Sequence, residues 1–409
     1  MDEIKTQAAA GRGPGFVEFV IMIALMISMV ALAIDAMLPA LPAIASDLGI
    51  ENLNDSQYVI TVFFAGMALG QILFGPLSDA VGRRPAIIAG LCVLAAGSLL
   101  SLFAVNFSQM LLGRLLGGMG AAGPRIVSIA LVRDRYRGRE MARVMSFVMT
   151  VFILVPVFAP AVGQGILLFT SWHYIFGLFV ALALGVGGWF WVRQPETLAP
   201  QFRSSFSFTN LALDTLGVLR QRAALGYALT MGFVFGAFIG YLSSSQQIFQ
   251  IQYDLGELFP LYFGILASVI GIASMVNARL VMQLGMRRLS RLALQVICLL
   301  SAAFFLLAWY QGGHPHLNSL MLYLLLLFFC FGLLFGNLNS MAMEPLGHIA
   351  GLGSAVVGSL ATFLSAIFGS LVSSAYDGTV LPLVLGFALL GAGGLLIMYW
   401  TESGLEAEN

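Results

Sequence analysis

Three ionisable residues stand inside long apolar runs of this sequence: Asp35, Arg114 and Arg125. A charge in the middle of a bilayer costs roughly 2.5–3.5 kcal/mol on insertion scales, so each is a functional candidate by default. Asp35, just before Pro39, can carry a proton or face a cationic substrate, but not both comfortably at once. Such competition is a physical basis for exchange; the plainer reading is a carboxylate solvated at a rim. Arg114 and Arg125 are 11 residues apart, close to three helical turns, and so share one helix face. Two positive charges on one face favour an anion, or an ionised Asp35. Arg114 can equally satisfy backbone carbonyls across helices, and Arg125 can line a pathway or tie one helix to another.

A second constellation is Gly75-Pro-Leu-Ser-Asp79-Ala-Val-Gly82-Arg83-Arg84-Pro85. A carboxylate beside two guanidiniums forms a charge-assisted cluster, and the flanking glycines permit a tight turn. The spacing returns 203 residues later in Ala278 to Arg287, aligning Gly82 with Gly285 and Arg84 with Arg287. Met282 stands where Asp79 stands, so the second copy keeps the turn and loses the ionic latch. Internal duplication of this kind is how many secondary transporters are built.

The elements that must hold these residues are membrane helices. The 409 residues are 59% hydrophobic and 9% charged, against about 25% charged in a soluble domain. A span needs roughly 20 apolar residues. Twelve such stretches fall near 16–38, 57–75, 86–105, 109–132, 143–168, 172–192, 223–249, 258–281, 289–310, 318–343, 351–374 and 379–400. The first is too long for the core of a cleaved signal. The fold expected is an all-α membrane protein of two six-helix bundles, 1–192 and 223–409, joined by a polar cytoplasmic linker, 193–222. With both termini inside, 17 of the 19 basic residues fall in cytoplasmic segments, from Lys5 and Arg12 to Arg291. The remaining two are Arg114 and Arg125. The opposite loops carry Asp47, Glu51, Asp55, Asp254, Glu257 and Asp377. Glu18 is expected to be solvated at the inner interface, and Glu344, before Pro345, to lie in a turn. Zero net charge and a single lysine give nucleic-acid binding no support.

The duplicated motif resembles the signature of the major facilitator superfamily between helices 2 and 3. That resemblance implies a cytoplasmic latch built by Gly75, Asp79, Gly82, Arg83 and Arg84. Arg114-Leu-Leu-Gly-Gly-Met-Gly120 is similar to the family's helix-4 arginine motif, and implies that Arg114 couples proton binding to the conformational change. Ala159-Pro160-Ala-Val-Gly163-Gln-Gly165 is similar to the antiporter motif of helix 5, with Ala159 and Gln164 in place of glycines. With Asp35-Ala-Met-Leu-Pro39, Arg133-Asp134 and Ser171-Trp-His-Tyr-Ile-Phe176, the set resembles the Bcr/CflA branch of drug:proton antiporters. The resemblance implies a monomer in a bacterial inner membrane that exports small amphipathic compounds against protons, with Asp35 as proton carrier and Arg114 as its partner. Arg125, after Pro124, departs from the branch's usual pattern.

Several uncharged polar residues also fall in or beside spans, among them Gln71, Gln247 and Asn277; Gln246 and Asn337 are chosen as cavity residues of the second half. The rival to drug export is import of copper or another small solute. Rows at Met22, Met26 and Met29 and at Met141, Met145 and Met149 suit Cu(I), but methionine is also an adaptable packing residue. Met231 has Phe235 one turn on, and His314 and His316 read as loop residues, so no metal site is assigned. No cofactor is expected: no Gly-Lys-Ser/Thr phosphate loop exists, and nothing in the pattern suggests an enzyme.

Overall fold

In lipid every backbone polar group must find its partner within the chain, so apolar segments of this length become helices. The computed structural model describes residues 13–203 and 208–407, and among them twelve helices are long and apolar enough to cross a membrane. They are α1 (Phe16–Asp35), α2 (Tyr58–Val81), α3 (Arg83–Leu102), α4 (Phe107–Arg135), α5 (Gly138–Phe169), α6 (His173–Arg193), α7 (Arg222–Gln246), α8 (Phe259–Leu284), α9 (Met286–Tyr310), α10 (Leu317–Met343), α11 (Ala350–Ser374) and α12 (Leu381–Ala407). The all-α, twelve-span architecture is therefore borne out. Lys5 and Arg12 lie outside the described residues.

The helix ends correct the sequence reading in a consistent direction. α2 runs through Pro76 to Val81, so Asp79 sits on a helix rather than in a loop. α4 continues to Arg135 and takes Arg133 and Asp134 with it. Hydropathy stops at the first charge, whereas a helix continues until its backbone is capped. The stretch 193–222 is not simply a polar interruption: it holds a further helix, Phe208–Arg220, which packs against α7 and α11.

Packing repeats with an offset of six helices. The pairs α1–α5, α2–α4, α3–α4 and α3–α6 recur as α7–α11, α8–α10, α9–α10 and α9–α12. Between the two sets, α2 packs on α11 and α5 on α8, which are again equivalent pairs. Gly82 and Gly285 close the equivalent turns with φ of +110° and +76°, a region that L side chains rarely adopt. Large apolar side chains such as Leu99, Phe158, Leu299 and Leu389 face outward, as a bilayer requires.

Candidate functional site

Asp35 ends α1, and Pro39 and Pro42 then bend the chain into a 3-10 turn, Leu38–Ala40, and a short helix, Leu41–Asp47. The backbone of α5 presses against this corner. A Cβ on Gly163 would lie 1.7 Å from the Ala36 carbonyl oxygen, so only glycine admits that approach. Pro160 lies one turn before it inside α5. The helix-5 motif thus shapes the end of α1 that carries the acid. Asp35 is 4% exposed and has no hydrogen bond or ion pair among the described residues. It lies within electrostatic reach of Tyr241 on α7, whose buried hydroxyl is also without a partner.

Asp35 and Arg114 do not form the expected ion pair. Arg114, 2% exposed, donates from Nε to the Val59 carbonyl at 3.1 Å and from Nη2 to the Ala33 carbonyl at 3.0 Å. Its guanidinium lies 4.2 Å from the ring centroid of Phe63. It joins α4 to α2 and to α1 two residues before the acid, and spends its donors on backbone carbonyls of both helices. Arg125 lies further along the same face. It is half-buried, and its one hydrogen bond among the described residues is to the Met67 sulfur at 3.5 Å.

The residues assigned to the latch divide their work. Arg83 binds Asp79 at 2.5 Å, Asp134 at 3.1 Å and the Ser78 hydroxyl at 2.7 Å. Glu196, which the sequence reading missed, accepts from the backbone N–H groups of Arg83 and Arg84 at 2.9 and 3.0 Å. A carboxylate there complements the positive end of α3. Arg84 instead turns to the ring and carbonyl of Trp191. Gly82 provides the turn, and Gly75 faces Ala355 of α11 across the interface. In the second copy Arg287 reaches Glu344 at 3.7 Å, so a looser, exposed ion pair replaces the one expected to be lost. Glu18 is not merely solvated: Arg193 holds it bidentately at 2.7 and 2.8 Å, and Trp189 donates at 3.1 Å.

Gln246 and Asn337, the expected cavity residues, are buried and bonded within the second half. Gln246 donates to Gln250, one turn on in its own chain segment, at 3.0 Å. Asn337 and Asn277 exchange reciprocal amide bonds of 3.1 and 2.8 Å that tie α10 to α8. The neighbour of Gln246 matters more. At the end away from the arginine-rich turns, Gln247 donates to Asn54 at 3.0 Å and pairs with Gln57. Asn54 donates to the carbonyls of Tyr376 at 2.8 Å and Ser374 at 3.2 Å. This amide cluster closes the two sets of helices against each other at that end. At mid-depth Ser359 binds the Ala68 carbonyl at 2.7 Å and Gln71 meets Thr362 at 3.2 Å. The α5–α8 contact runs through Val157 with Gly264 and Ile153 with Gly271. Nearer the arginine-rich end both helices expose large side chains, including Phe147, Met275 and Met282. Several amides at span ends were the available signal for this cluster, but which of them meet is a long-range fact.

A duplicated bundle of twelve spans, with a buried acid that has no partner among the described residues and an arginine held there only by a thioether, has the build of a membrane carrier. The chain belongs to the Major Facilitator Superfamily, whose sequence profile matches residues 22–370. It is 31% identical to an uncharacterized MFS-type transporter, YdgK, of Bacillus subtilis, over 83% of this chain and 85% of that one. It is 26% identical to a bicyclomycin resistance protein homolog of Haemophilus influenzae, over 94% and 96% of the two chains. The multidrug resistance protein MdtL of Salmonella newport is 30% identical over 82% and 85%. Among solved structures, the human organic anion transporter MFSD10 superposes with a TM-score of 0.70 at 19% identity, covering 95% of this chain and all of that one. A peptide transporter crystallised with sulfate gives 0.72 at 16% identity, over 98% and 97%. At such identities the structural matches speak for the fold.

Proposed function

We propose that this chain is a proton-driven exporter of small amphipathic compounds in a bacterial inner membrane, with the arginine-rich end and both termini in the cytoplasm. The resistance names of its relatives and the helix-5 motif support the export reading, and the segregation of arginines supports the orientation. The two units that rock against each other are 1–192 and 223–409, with 193–222 as the connection.

The observation that carries the mechanism is the setting of Asp35. Its carboxyl is shut between α1 and α7 with no counter-charge, at the end where the amide cluster holds the halves together. An ionised carboxylate without a partner in such surroundings is costly, so closure of this end suits the protonated acid. Proton uptake from outside therefore favours closing the outer end, and release toward the cytoplasm favours reopening it. Arg114 holds α4 to the segment that carries Asp35, so a shift at the acid reaches the helix that bears Arg125. Arg83, Asp79 and Asp134 stiffen the cytoplasmic turn on which the rocking unit pivots.

The test is Asp35→Asn, which fixes the neutral form. In inside-out vesicles, efflux driven by a pH gradient is lost, while exchange of substrate down its own gradient persists. Undiminished pH-driven efflux would sink the assignment.

A further inference from the structure

Among the charged groups between the helices, half-buried Arg125 has no role in the cycle described above. A guanidinium carries five N–H donors, and here one of them meets a thioether, a weak acceptor, at 3.5 Å. No carboxylate among the described residues comes within ion-pair distance of it. Asp35 does not serve as its counter-ion. Arg114 already reaches the Ala33 carbonyl beside that acid, and Arg125 lies about 16 Å further along α4 at 1.5 Å per residue.

Its surroundings are those of a binding surface rather than a helix tie. Arg114, on the same face, fixes α4 to its neighbours through two carbonyls; Arg125 binds no backbone group among the described residues and stays partly accessible. The Met67 contact comes from α2, and one turn on Ser128 meets the Met26 sulfur of α1, so Arg125 lies where α1, α2 and α4 come together. Helices α7 and α10, the counterparts of α1 and α4, carry half-buried Phe235, Phe238 and Phe335. Phe235 and Phe335 stack with centroids 4.4 Å apart, and Phe238 lies 5.6 Å from Phe335. One half thus presents an unpaired cation and polarisable sulfurs, and the other a patch of aromatic faces.

We propose that the transported substrate carries an anionic group, a carboxylate or a comparable oxyanion, on an aromatic or apolar body, and that Arg125 binds the anionic end. This rests on the transporter reading and narrows its substrate class. A half-buried guanidinium with no counter-charge among the described residues is the group that would select most strongly, because it repels cations and gains most from an oxyanion able to take two of its donors. The fork also separates Arg125 from a mere positive potential, since lysine supplies the charge without the paired geometry. With the anion bound there, coupling to Asp35 passes through movement of α1 and α4, not through direct displacement at the acid.

The test uses the full chain in lipid nanodiscs and three matched probes: 1-naphthoate, 1-naphthamide and 1-naphthylmethylammonium. Equilibrium dialysis is expected to show naphthoate binding at least about tenfold tighter than the amide, the size of one charge-assisted contact. Arg125→Gln abolishes that preference, and Arg125→Lys keeps part of it. A melting curve of each variant, with and without naphthoate, separates loss of the site from loss of the fold: Arg125→Gln melts as a folded protein but is no longer stabilised by naphthoate. Equal binding of naphthoate and naphthamide overturns the proposal, as does naphthoate binding unaffected by Arg125→Gln, or none at millimolar concentration. Tighter binding of the ammonium probe, with pH-driven efflux still dependent on Asp35, overturns the anion assignment and leaves the exporter reading standing.

Discussion

Asn54→Ala is expected to shift the conformational equilibrium with little change in either half. The Asn54 side chain makes three hydrogen bonds, to the Tyr376 and Ser374 carbonyls and from Gln247, and all three cross from the first six helices to the last six. They exist only while this end is closed. The side chain is half-buried, so water competes, and each bond is worth the lower end of the usual range, about 0.5 kcal/mol. Their sum of about 1.5 kcal/mol corresponds to roughly a tenfold change in the ratio of closed to open molecules. Spin labels at Glu51→Cys and Glu257→Cys, both exposed at this end, report that ratio by pulsed electron resonance once Cys92, Cys298 and Cys330 are replaced by serine. The long-distance population should grow by about that factor in Asn54→Ala, and by less in Gln57→Ala, which removes only the bond to Gln247. A ratio within twofold of the parent would refute the view that the amide cluster holds this end shut.

Other expectations follow from single contacts. Arg114→Gln removes two charge-assisted bonds to carbonyls, worth roughly 3–6 kcal/mol together, and lowers the melting temperature and the yield of folded protein; Arg114→Lys does not restore them, because an ammonium cannot span both acceptors. Gly163→Ala places a methyl group 1.7 Å from the Ala36 carbonyl oxygen and destabilises by at least about 1–3 kcal/mol, the range for overpacking, while Gly165→Ala, with open space around it, is neutral; thermal unfolding in nanodiscs compares the two. Efflux in vesicles follows the same order, since α5 positions the end of α1 that carries Asp35.

The number of helices and the duplication were legible in the sequence because each rests on a local or periodic signal. Twenty apolar residues make a span wherever they occur, and the Gly82 and Gly285 turns declare themselves by spacing alone. Burial of Asp35 was also inferable, since a lone carboxylate in an apolar run has few places to go. The partners of the charged residues were not. The resemblance makes Arg114 the partner of Asp35, yet a motif does not say which acceptor a guanidinium meets, and its bonds go to two carbonyls. Glu196 came from beyond α6 to cap α3, and Asn54 found Tyr376 across 322 residues of chain. Composition and periodicity settled that this chain is a duplicated bundle of membrane helices, because the bilayer acts on every segment separately. Which polar groups pair and which arginine keeps only a thioether contact are decided when the helices pack within each half, and which end is closed when the halves dock, since those contacts join segments that no local rule relates.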